Sequence, residues 1–278
     1  MPLNIVGHLG IDRFPGVSGD ASYLGGSLFH FLNGYALSGA AAAALTWTTG
    51  DILGRAQARL PSRIRFETVL VERSPEFEIQ HNDEHLVAFI LRNLSMPAEY
   101  LDLMPGRERL HFCAMPVSDV VAVLDKARPR VWSMQLHESV LPSPDEFAAL
   151  PSAPARVFCN AIEYAACPSD VRLDSSIEWI VTERDQIRVI LAEQIASEFR
   201  FQPLTSIVDP TGAGDFLAGA VTGALERRVP QEHAVRFGAG VAAVGLSDWS
   251  SEAFKNWWNP LPELQPSSTP TPDGPPTL

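Results

Sequence analysis

Lysine is almost missing from this chain: Lys126 and Lys255 are the two copies in 278 residues, and arginine carries the remaining positive charge. Acidic residues outnumber basic ones, and the formal net charge is −12. Bulk attraction to nucleic acid or to an anionic membrane is thereby excluded. Cysteine is equally scarce. Cys113, Cys159 and Cys167 are odd in number and lack metal-ligand spacing, which fits a reduced cytoplasmic interior better than a disulfide framework. The N-terminus has no basic segment leading into a long apolar run, so no signal peptide is expected. The alanine-rich stretch at 40–45 is too short to span a bilayer.

What the chain does have is apolar residues, 46% of the total, enough for one large core or a core with a small appendage. Residues 259–278 are dense in Pro, Ser and Thr and are expected to be a disordered tail behind a domain over 1–258.

The apolar pattern suggests an order of elements. Residues 3–9 read as a buried first strand, 16–26 as loop or edge structure, 27–44 as a helix rich in small residues, and 45–49 as a strand. Residues 63–72 and 76–80 alternate, and a polar turn at 81–84 precedes 86–91, which is a hairpin signature. Strands near 12–24 and 63–94 are therefore expected to form a small sheet projecting from the main domain. An extra antiparallel edge on the main sheet is the alternative. Strands at 110–114, 131–136, 156–159, 179–182 and 206–208, with helices at 118–126, 144–150 and 161–167 between them, imply an α/β fold. Such a sheet is mostly parallel and covered on both faces. Ligands in these sheets sit beyond the carboxyl ends of the strands.

The segment with the most chemical content is 206–228, SIVDPTGAGDFLAGAVTGALERR. A strand runs through Asp209-Pro210-Thr211 into Gly212-Ala213-Gly214-Asp215, which opens a helix over 216–227. Two glycines around one small residue let successive N–H groups point into one space. At a helix N-terminus these donors make an anion hole, which phosphoryl transfer requires because negative charge spreads over the moving group. Asp215 falls in the first turn, where the helix dipole favours its ionised form, and there it can accept the proton of an attacking hydroxyl. The small residues Ala218, Gly219, Ala220, Gly223 and Ala224 would let the helix lie tight against the sheet. A plain glycine turn with an acidic helix cap is the structural alternative.

DPTGAGDF with its small-residue helix resembles the C-terminal signature of the PfkB/ribokinase carbohydrate-kinase family. The resemblance implies a ribokinase-like three-layer sandwich with a small β-sheet lid, ATP and Mg²⁺ as cofactors, and a small-molecule alcohol as substrate. It makes Asp215 the catalytic base and Gly212, Ala213 and Gly214 the anion hole. Asn160 and Glu163, in VFCNAIE, resemble the N-x-x-E element that organises Mg²⁺ through water; an Asn cap with a surface Glu is the alternative. Thr182 resembles the strand-terminal Thr at the nucleotide, and Thr211 and Gly238 fall on the same nucleotide side. GHLGID followed by Gly25-Gly26 resembles the substrate edge, with Asp12 gripping hydroxyls, and SMQLHE places Gln135 and His137 toward substrate. The lid leaves room for a homodimer.

The sequence departs from the family pattern at three places. Glu183-Arg184-Asp185-Gln186 replaces a Gly-containing loop, with Arg184 or Arg188 the cations that could compensate. His30 stands near the family's Asn and reads as a packed helix histidine. Ser133 and Gln135 replace an Asp/Asn pair, which turns the comparison from sugar phosphates toward the branch with inositol and nucleoside kinases. Phe14, Tyr23, Phe29 and Phe31 near the substrate edge suit either a stacked base or the core. A catalytically weak kinase-fold scaffold is a second reading. A Rossmann dehydrogenase is a third, disfavoured because Gly212–Gly214 is not followed by the G-x-G-x-x-G spacing.

Overall fold

The computed structural model describes residues 2–14, 21–81, 86–92, 95–201 and 212–247. β1 (Leu3–Val6) and β4 (Ala42–Thr48) are buried at every position, so side chains leave them into two separate cores. Ile5, Ala42, Ala44, Phe158 and Ile180 point into one core, and Val6, Ala43, Leu45, Val157 and Val181 into the other. This is the two-residue period of a strand covered on both faces.

The large sheet has the order β13 (Gln194–Arg200), β12 (Gln186–Leu191), β11 (Glu178–Thr182), β10 (Arg156–Asn160), β9 (Val131–Gln135), β8 (Arg109–Phe112), β1, β4, β5 (Ile64–Leu70). Pairing is parallel from β5 to β11, and antiparallel for the β11–β12 and β12–β13 hairpins. The first core is closed by α1 (Ser27–Leu37), α2 (Gly50–Arg59), α7 (Ala213–Glu226) and α8 (Gln231–Ser247). The second is closed by α3 (Val117–Ala127), α4 (Pro144–Ala148), α5 (Ala161–Ala166) and α6 (Ser169–Leu173). A separate four-stranded sheet has the order β3 (Ala21–Gly25), β2 (Gly10–Phe14), β6 (Glu76–His81), β7 (Leu86–Arg92).

Three sequence expectations are corrected. The helix expected over 27–44 ends at Leu37, and Ala42–Ala44 belong to β4. Alanine is a good helix former, but between two parallel neighbours tertiary pairing outweighs propensity. The stretch from Arg63 does not join the small sheet: β5 pairs in parallel with β4 as an edge of the main sheet. The small residues of α7 meet α1 rather than the sheet alone. A Cβ on Gly219 would overlap the Phe31 carbonyl, and one on Gly34 would overlap the Phe216 carbonyl. The strand expected at 206–208 and the tail at 259–278 lie outside the described residues.

Candidate active site

The carboxyl ends of β9, β10 and β11 converge with the N-terminus of α7 on a cleft of about 240 Å³. Parallel register sets this up: Asn160 pairs with Thr182 at the last positions of β10 and β11, and Phe158 with Gln135 across β9.

Gly212 is the N-cap of α7, with φ 69, in the left-handed region that a side chain disfavours. Its α-carbon also lies against a ring: a Cβ there would come 2.5 Å from Cγ of His30. No side chain among the described residues caps this helix. The first-turn amides of Ala213 and Gly214 thus keep the orphan donors of every helix start, and both residues line the cleft. The Gly212 carbonyl closes the first turn by accepting from the Phe216 N–H at 2.8 Å.

Asp215 follows one residue later and also lines the cleft. Its acid is pushed up to about 7, chiefly by burial; the His30 ring and a hydrogen bond with the Gln135 side chain act in the opposite direction, and Asp12 adds to the rise. The helix dipole alone suggested a fully ionised group, but desolvation is the larger effect here. Such a group is poised as a base near neutral pH. The Gln135 side chain holds Asp215, while Gln135 Oε1 is buried without a hydrogen-bond partner among the described residues.

Opposite α7, Asn160 and Glu163 form a capping box at the start of α5. Asn160 Oδ1 accepts from the Glu163 N–H, and Glu163 Oε2 accepts from the Asn160 N–H, both at 2.8 Å. Asn160 is therefore the helix cap that its sequence context allowed, but Glu163 is buried and not a surface residue. Burial pushes the Glu163 acid up to about 7 against the hydrogen bonds it receives from the backbone of Asn160 and Glu138. His137 lines the cleft as well, and its Nδ1 accepts from the Ser139 N–H at 3.2 Å. Burial lowers the His137 pKa, which favours the neutral ring, and an Nδ1 that accepts from the Ser139 N–H leaves the ring proton to Nε2. Thr182 Oγ1 donates to the Cys159 carbonyl at 3.3 Å.

The remaining sequence candidates lie elsewhere. Arg184 is exposed at the tip of the β11–β12 hairpin and does not line the cleft. Arg188 is tied to Glu183 by an ion pair. Gly238 is buried in the α7–α8 contact, where an added Cβ would overlap the Val221 side chain. Thr211 lies outside the described residues. Asp12, Gly25 and Gly26 stand together where β2, β3 and α1 meet and are not among the residues that line this cleft. His30, read in the sequence as a packed histidine, is buried as expected and also bonds Asp12 Oδ2 at 2.8 Å. No local sequence signal announces that role, because Asp12, His30 and Gly212 come from three separate elements.

The carboxyls of Asp215, Glu163 and Glu138 line the cleft, and no lysine or arginine does among the described residues. No cluster of three or more His, Cys, Asp or Glu among the described residues could hold a metal by itself. The donor set instead suits Mg²⁺, which binds through one or two carboxylates, waters and substrate phosphates rather than a protein cage.

Residues 178–252 match the family model described as pfkB family carbohydrate kinase. Ribokinase from Cryptococcus neoformans var. grubii serotype A, solved with ADP, is similar with a TM-score of 0.71 at 15% identity, over 89% of this chain and 94% of that one. The C-terminal part carries the pfkB signature on a ribokinase fold. Nucleoside kinase from Burkholderia thailandensis, solved with inosine, gives 0.70 at 14% identity over 88% of this chain and 91% of that one. The Methanocaldococcus jannaschii nucleoside kinase gives 0.67 at 16% over 93% and 98%. No curated protein matches the chain in sequence. The match to the pfkB model covers residues 178–252, the likeness to these solved structures is one of fold, and no helix among the described residues is long and apolar enough to cross a membrane.

Proposed function

We propose that this pfkB-type protein transfers the γ-phosphate of ATP to one hydroxyl of a small polyol, sugar or nucleoside. The single observation that carries the reading is the pairing of a helix N-terminus, without a side-chain cap among the described residues, with a carboxyl poised near neutrality at the same cleft. The acceptor hydroxyl approaches Asp215, which takes its proton as the oxygen attacks phosphorus. The amides of Ala213 and Gly214 receive the charge that develops on the transferred group. Gln135 keeps Asp215 oriented, and its unpartnered Oε1 is the acceptor left for an incoming hydroxyl. His137 offers an Nε2–H donor from the same wall.

Glu163 and Asn160 are the residues suited to hold Mg²⁺, through water, and Thr182 is the nucleotide-side hydroxyl. When bound, the cation would neutralise phosphate charge in a cleft whose described lining offers no lysine or arginine. ADP in the fungal ribokinase and inosine in the bacterial nucleoside kinase support this choice of donor and acceptor.

ADP release measured with MgATP against a panel of polyols, sugars and nucleosides tests the reading. Stimulation by one acceptor class is expected. Calorimetry showing no MgATP binding would point instead to a kinase-fold binding module.

A further inference from the structure

Asp12 and His30 form a closed couple between the small sheet and the N-terminus of α7. Each is 4% exposed. Asp12 Oδ2 lies 2.8 Å from His30 Nε2, and Asp12 Oδ1 accepts from the Gly26 N–H at 3.1 Å. Both carboxylate oxygens are thus engaged by the protein. The backbone of Gly25 closes a further side, because a Cβ at Gly25 would overlap the carboxylate itself. The His30 ring touches both sides: it bonds Asp12 and lies against Gly212, which lines the cleft, and Asp12 is not among the residues lining it.

We propose that His30 is a specificity-determining residue, which holds Asp12 in an internal pair and so denies the acceptor a carboxylate ligand. The inference rests on the phosphotransfer reading above. A vicinal diol presents two adjacent O–H donors, a pattern matched to the two oxygens of a carboxylate. Recruiting Asp12 for that purpose would require displacing the His30 ring and leaving buried polar groups without partners, which is strongly disfavoured. The acceptor is recognised instead from the Gln135, His137 and Asp215 wall, where one hydroxyl suffices. Acceptors with and without the neighbouring hydroxyl are therefore poorly distinguished. Removing the ring opens a path past Gly212 to a carboxylate with a newly vacant oxygen.

The test compares kcat/KM for ribose against 2-deoxyribose and for adenosine against 2′-deoxyadenosine, by ADP release from MgATP. In the wild type the diol-to-deoxy ratio is expected to lie within about threefold of one. His30→Ala should raise that ratio tenfold or more, and adding Asp12→Asn to His30→Ala should return it. Asp12→Asn in the wild-type background carries the test even if His30→Ala fails to fold, since the amide is close in shape to the carboxylate. In that background it should leave the ratio within threefold. A wild-type diol preference of tenfold or more that Asp12→Asn erases would overturn the inference, as would a folded, active His30→Ala with an unchanged ratio. Absence of ADP release with these acceptors and with every member of the polyol, sugar and nucleoside panel, in every variant, is a different result: it overturns the phosphotransfer reading, and the inference falls with it.

Discussion

Asn160 and Glu163 cap each other across the first turn of α5, each backbone N–H donating to the other's side chain at 2.8 Å. The box fixes a buried carboxyl at the cleft facing Asp215, and each of the two carboxyls contributes to the electrostatics of the site. Asn160→Ala removes the acceptor for the Glu163 N–H and should lower stability by about 1 kcal/mol. Urea unfolding measures that loss. The same variant should raise the Mg²⁺ concentration needed for half-maximal ADP release, while Asn160→Asp, which keeps the cap, should leave stability near wild type.

Asp215→Asn keeps the size and the hydrogen-bonding edge of the side chain but cannot take a proton. The rate of ADP release should fall by about 10²–10⁴-fold. Thermal unfolding of the variant should remain a single cooperative transition near the wild-type midpoint. Full activity in a folded variant would remove Asp215 from the role of base.

The pH profile follows from the raised acid of Asp215. A base works ionised, so kcat/KM should rise with pH through about 7 and then level off. Stability runs the other way. The folded-state pKa lies above the unfolded one, so between the ordinary carboxyl range and about 7 the unfolded chain binds fewer protons. Stability is full below the ordinary carboxyl range and declines as pH rises to about 7. Glu163, also raised to about 7, acts in the same direction. Unfolding midpoints from pH 4 to 8 should show this decline, and Asp215→Asn should flatten it.

Gly212→Ala meets two obstacles, a left-handed backbone and the His30 ring. The backbone alone costs about 1–2 kcal/mol, and the ring contact adds to it. Chemical denaturation should register the loss. ADP release should fall more steeply than stability, because the amides that receive the phosphoryl charge begin at this turn.

A chelator tests the charge of the cleft. Since no lysine or arginine among the described residues lines it, EDTA should abolish ADP release, and Mg²⁺ should restore it.

Much of this was legible before the fold. The apolar runs that became β8, β9, β10 and β11 are short, and helical stretches separate most of them, so local pattern alone implied a parallel sheet. The Gly-Ala-Gly-Asp turn is a contiguous motif whose backbone geometry is local, and its place at the start of α7 followed from its own residues. Where the reading failed, the cause was pairing between distant segments. Ala42–Ala44 looked helical until β1 and β5 took them as a strand, and β5 looked like part of the small sheet until it paired with β4.

The sequence by itself determined the Gly-Ala-Gly-Asp turn at a helix start, the carboxyl beside it and the covered parallel sheet, because each depends on residues close together in the chain. Tertiary structure alone decided that Asp12 is bonded to His30, that Arg184 is exposed and not part of the cleft lining, and that Glu163 is buried at the cleft that Asp215 also lines. These depend on burial and on contacts between elements many residues apart, and desolvation acts only once the surrounding side chains have packed.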